Sequence, residues 1–219
     1  LGPATYGQTG RILAIGANGQ ARVILDNLPS VAGQGGAEVT GVHGVALDGR
    51  TLYFVTDGHG DYELGFGALW EVNLQTGDAQ QVADLAAFEA IENPDQLVVD
   101  SNPYDVDVAS DGSLYVVDAG GNTVLWINEA RDIYSIAVIP GAPVPFPNPQ
   151  RAGEMAADPV PTGIAIADDG TAYVTLLTGF PFATGAAVVY QAAPDGTVTQ
   201  AASGLSLLTG VAIGPDGGV

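Results

Sequence analysis

Residues Asn102–Asn122 read NPYDVDVASDGSLYVVDAGGN, and this stretch decides the fold. Val106 and Val108 alternate with Asp105 and Asp107, so one face of the segment is apolar and the other acidic. An Asp-Gly pair at 111–112 follows, and then a β-rich run, Leu114-Tyr-Val-Val117. Alternation at period two around an Asp-Gly turn predicts a β-hairpin.

The same grammar appears on either side. GVHGVALDGRTLYFVTDG begins at Gly41 and VPTGIAIADDGTAYVTLLTG begins at Val160. The strand tyrosines Tyr53, Tyr115 and Tyr173 recur at spacings of 62 and 58 residues. Each unit continues into a third strand, GALWEVN from Gly67, NTVLWIN from Asn122 and AAVVYQA from Ala186. Trp70, Trp126 and Tyr190 fall at matching places there, where packing between neighbouring units is their expected role. Fourth strands follow, as DAQQVADL from Asp78, YSIAVI from Tyr134 and GTVTQAASGL from Gly196. Four antiparallel strands in tandem repeat predict an all-β chain built as a β-propeller of four-stranded blades.

The ends fit the same register. GRILAIGANGQARVILDNLPS from Gly10 reads as strands three and four of an earlier blade, turning at Asn18-Gly19. LTGVAIGPDGG from Leu208 reads as strand one of a later blade. Residues 1–219 are therefore expected to form a single propeller domain, with three whole blades between two partial ones. The missing strands are expected in further sequence, with a neighbouring subunit as the alternative source. Two inserts interrupt the pattern. Residues 82–101 carry Leu85, Phe88 and Ile91 at helical spacing before Asn93-Pro94, predicting a short helix. Residues 139–161 are proline-rich and predict an extended inter-blade loop.

Composition narrows the function. The chain has 25 acidic residues against 5 basic ones, a net charge of −20, which excludes nucleic acid and an anionic membrane face as partners. At 47% hydrophobic and 14% charged it holds a substantial core. No apolar run approaches the ~20 residues of a transmembrane helix. Without cysteine, thiol catalysis and thiolate metal sites are excluded. No serine lies in Gly-X-Ser-X-Gly, and no glycine-rich segment carries the lysine of a phosphate loop.

Several strings resemble the ScyD/ScyE-type family, NHL-like propellers named for members encoded beside scytonemin genes. They are VADLAAFEAIENPD, DSNPYDV, VVDAGGNTVLW, VPTGIAI and LTGFPFATGAAVVY, with Asn27–Gly33 and Gly35-Gly36 approximating another. The resemblance implies a secreted or periplasmic propeller, larger than this chain and of six blades. It brings no catalytic residue set. Relatives with GPHDVAF differ here, where His43 is kept but Gly44 replaces the acid that follows.

Candidate site residues gather at the starts of the first strands. His43, the set Asn102, Tyr104 and Asp105, and Thr162 occupy corresponding places and predict a polar ring at one mouth of the central channel. A second candidate is TDGHGDYELG, Thr56–Gly65, where Asp57 and Asp61 alternate with His59 and Glu63 as oxygen-rich residues open to a cation. No cofactor is required by these residues, with Ca²⁺ as the ion they would admit. The leading expectation is an extracellular or periplasmic scaffold binding a protein or polysaccharide. The alternatives are a metal-dependent lactonase at the channel mouth, which needs converging oxygen ligands, and a self-associating fibre subunit whose blades neighbours complete.

Overall fold

The computed structural model describes residues 4–36, 39–58, 64–151 and 153–219. Three four-stranded antiparallel sheets dominate it. They are β3–β6 (Val42–Asp48, Thr51–Thr56, Ala68–Asn73, Ala79–Asp84), β7–β10 (Pro103–Val108, Leu114–Asp118, Thr123–Ile127, Ile133–Val138) and β13–β16 (Pro161–Ile166, Ala172–Leu176, Ala187–Ala192, Val198–Leu205). In each, the strands pair in chain order, as the repeat requires.

One turn chemistry is reused throughout. Gly112 adopts φ 83° and donates to Ala109 O, Ala109 donates to Ser113 O, and Asp111 Oδ1 accepts from Ser113 N. The same bonds recur at Ala167–Thr171, Ala193–Thr197, Gly16–Gln20 and Gly214–Gly218, where Asp169, Asp195, Asn18 and Asp216 take the aspartate's part. A short polar side chain that caps its own turn, followed by glycine at positive φ, explains the recurrence.

The core lies between blades. One cluster joins Val55, Leu69 and Val82 of the first sheet to Val106, Val116 and Leu125 of the second. Another joins Tyr115, Val117 and Val124 of the second to Ile164, Val174 and Tyr190 of the third. Tyr190 thus packs between blades, as expected, with Trp126 against the same cluster and Tyr115 within it, whereas Trp70 stacks on Phe54 of its own sheet.

The first strands β3, β7 and β13 run side by side. Glycine permits that approach, since a Cβ on Gly44 would fall 2.2 Å from Asp105 Oδ1 and 2.5 Å from its Cα. These inner strands also leave amides unpaired along their edge. Asp105 and Asp107 satisfy them: Oδ2 of each accepts from Ile164 N (3.1 Å) and Ile166 N (2.8 Å) of the next blade. Their Oδ1 atoms accept from Val106 N and Val108 N on their own strand.

At the N-terminal end, β1 (Thr5–Ile15) and β2 (Ala21–Ala32) form the expected hairpin. On the face of β3 toward it, Val45 is 50% exposed, whereas the corresponding Val106 and Ile164 are 3% and 4% exposed. At the other end, Leu208–Gly214 forms no ladder and is not a strand, because no described second strand is there to pair with it. It still takes the predicted place beside β13. Leu208 N bonds Leu176 O, Thr162 Oγ1 bonds Leu208 O, and a Cβ on Gly163 would meet Gly210 Cα at 2.7 Å.

The insert at 82–101 contains the expected helix, α1 (Leu85–Glu92), capped by Asp84 accepting from Ala87 N and closed by Asn93 at φ 38°. Its inward face differs from the reading, since Ile91 is 78% exposed. Residues 139–161 correct the expected extended loop. They fold back as a two-stranded ribbon, β11 (Ala142–Asn148) against β12 (Glu154–Ala157). Pro143, Pro145 and Pro147 are exposed, as is Phe146, whereas Ala142, Val144 and Asn148 are buried. Donors at alternate residues suffice for a strand paired on one edge, so proline is tolerated.

Candidate functional site

The repeat places His43, Tyr104, Thr162 and Thr209 at equivalent positions near the starts of successive inner segments. They line one cavity of about 290 Å³ together with Gly44 and Asp105. Four of the five residues expected at the channel mouth are thus brought together. Asn102 is not among the lining residues. Its backbone N–H donates to Asp118 Oδ1 at 2.7 Å and its carbonyl accepts from Ala119 N, while its buried Oδ1 has no hydrogen-bond partner. Thr209 adds to the predicted ring, and its equivalence to Thr162 was readable from the repeat register.

The groups able to do chemistry around this cavity are held by the protein. His43 Nδ1 faces Pro103 O at 3.3 Å, while Nε2 faces Thr40 Oγ1 at 3.0 Å and Asp57 Oδ2 at 3.4 Å. Thr40 Oγ1 donates to Asp57 Oδ2, so its oxygen is left to accept from the ring. Both ring nitrogens therefore lie within hydrogen-bonding reach of protein oxygens. The ring also packs against Tyr104, with centroids 4.5 Å apart. Burial pushes the Asp105 carboxyl up, opposed by its bonds from Ile164 N and Val106 N. Thr162 directs its hydroxyl to Leu208 O.

Asp57 is 3% exposed and belongs to this network through Thr40 and His43. Asp61, its expected companion toward a cation, lies outside the described residues, as do His59 and Glu63. Among the described residues, no three His, Asp or Glu side chains converge as a metal site would require. Thr40 was not foreseen. It follows a segment outside the repeat, so nothing in the strand register points to it.

No family model matches the sequence, and no curated protein matches it. Solved structures do. A chain in a nidogen/laminin complex matches with a TM-score of 0.58, at 13% identity over 94% of this chain and 64% of its own. Virginiamycin B lyase from Staphylococcus aureus matches with 0.53, at 14% identity over 98% and 65%. A protein provisionally named a gluconolactonase matches with 0.51, at 14% identity over 81% and 54%. The chain is a β-propeller. At these identities the likeness to the known propellers extends to the fold alone, and the chain spans 54% to 65% of their lengths. No described helix is long and apolar enough to cross a membrane.

Proposed function

We propose that this propeller is a binding scaffold of the cell exterior, of the ScyD/ScyE type, that engages a partner at the channel mouth. One observation carries the reading. The His43 ring nitrogens and the Asp105 carboxylate oxygens are already directed at protein groups. A general base must reach the proton that it removes, and a metal ligand must offer a lone pair. What remains around the cavity is recognition chemistry, an aromatic ring at Tyr104, a hydroxyl at Thr209 and close backbone at Gly44. A net charge of −20 favours a neutral or cationic partner, a polysaccharide or a protein segment. Propellers of this shape include one in a nidogen/laminin complex, in keeping with a protein partner.

The rival reading is lactone hydrolysis, and turnover separates the two. Purified protein with millimolar Ca²⁺ or Mn²⁺ is expected to hydrolyse aldonolactones no faster than buffer does. Metal-dependent hydrolysis lost in both His43→Ala and Asp105→Asn would replace the scaffold by an enzyme.

A further inference from the structure

Helix α1 carries an acid into the interior. Leu85 is fully buried, and Glu89, one turn on, shares its face and is 3% exposed. The carboxyl lies on the 118–123 turn of the second blade, so close that a Cβ on Gly121 would stand 2.8 Å from Oε2 and 3.2 Å from Cδ. Among the described residues, Glu89 Oε1 has no hydrogen-bond partner. Buried Thr123 Oγ1, 3.5 Å from that same point, has none either. A carboxylate enclosed with an unpaired oxygen is costly, and a neutral carboxyl much less so.

The charged groups acting on Glu89 are all acids: Asp118 at the end of β8, Asp95 after the helix and Asp100 before β7. Asp118 is itself buried, accepting from Ser101 Oγ and from the amides of Asn102, Gly120 and Gly121. Asp95 accepts from Asn122 Nδ2. Burial foremost, and then these acids, push Glu89 from 4.5 up to about 7.

We propose that α1 is a pH-dependent latch across the junction of the first two blades, seated while Glu89 holds its proton and loosened when it ionises. The sign follows from linkage. Below 4.5 the proton is bound whether the helix is seated or free, so pH has no effect. Between 4.5 and about 7 the seated state holds the extra proton, and its advantage falls as pH rises. Above that the loss is complete.

Hydrogen exchange tests the latch. Amides of 87–93 and of the 118–123 turn are measured at pH 6 and pH 8.5, with rates corrected for intrinsic exchange. The wild type is expected to exchange about tenfold faster at pH 8.5, within a ceiling of roughly 300-fold set by the gap between the two pKa values. Glu89→Gln, neutral and of the same shape, is expected to keep its pH 6 protection at pH 8.5. Equal protection of the wild type at both pH values would overturn the proposal, as would an unchanged pH response in Glu89→Gln. Restoration of wild-type protection at pH 8.5 by Ca²⁺ would also overturn it, making the pocket a cation site. Carbon-detected titration of the Glu89 carboxyl in the wild type needs no variant, and a midpoint near 4.5 would sink the latch.

Discussion

Asp105 and Asp107 close a gap that the repeat creates. An inner strand has no neighbour in its own sheet on the channel side, and each carboxylate spans one amide of its own strand and one of the next blade. Asp107→Ala would leave Val108 N and Ile166 N without that acceptor. It is expected to cost about 1–3 kcal/mol in urea unfolding, whereas Asp107→Asn, which keeps an acceptor oxygen, should cost less. Glycine is as strictly required where backbones touch. A Cβ on Gly58 would fall 1.3 Å from Ser101 O, so Gly58→Ala must move one blade against the next. A loss of about 3 kcal/mol or more is expected for it, against a fraction of that for alanine at Gly210, where a Cβ would meet nothing. The acidic pair was legible in the sequence as a pair, because alternation puts both on one face. Its partners were not, since they come from a strand 59 residues away. The Thr40–His43–Asp57 network was less legible still, because it occurs in one blade only.

Among the elements, the strands and turns were the most readable. Asp-Gly and Asn-Gly fix the turn by local chemistry, and the structure reproduces it wherever those pairs close a hairpin of this form. The helix was readable in position through its apolar spacing and its Asn93-Pro94 stop, but not in orientation, and its Asp84 cap was found only in the structure. Spacing of apolar residues alone ranks Ile91 as an inward residue, although the face carrying Leu85 and Glu89 is the one that seats. Asp84→Ala is expected to cost about 1 kcal/mol through loss of the cap, with increased exchange confined to the first turn of α1. The ribbon 142–157 misleads a reader because proline argues against strands. Here its alternate spacing meets the needs of a strand bonded on one side.

At the scale of the molecule, blades hold one another rather than themselves, because each buried cluster takes residues from two adjacent sheets. Equivalent positions should therefore differ in cost with their place in the chain. Val106→Ala, inside a blade junction, is expected to lower stability by about 2 kcal/mol. Val45→Ala, at the matching but half-exposed place, should change it by less than about 0.5 kcal/mol in this 219-residue chain. Tyr104 and Thr209 line the cavity proposed as the binding site, and binding measures that role directly. Wild type, Tyr104→Ala and Thr209→Val would be applied to arrays of neutral polysaccharides and extracellular proteins at moderate salt. The predicted result is a defined set of ligands bound by the wild type and weakened at least tenfold by Tyr104→Ala. Ligands held equally well by all three proteins would contradict the channel mouth as the binding site.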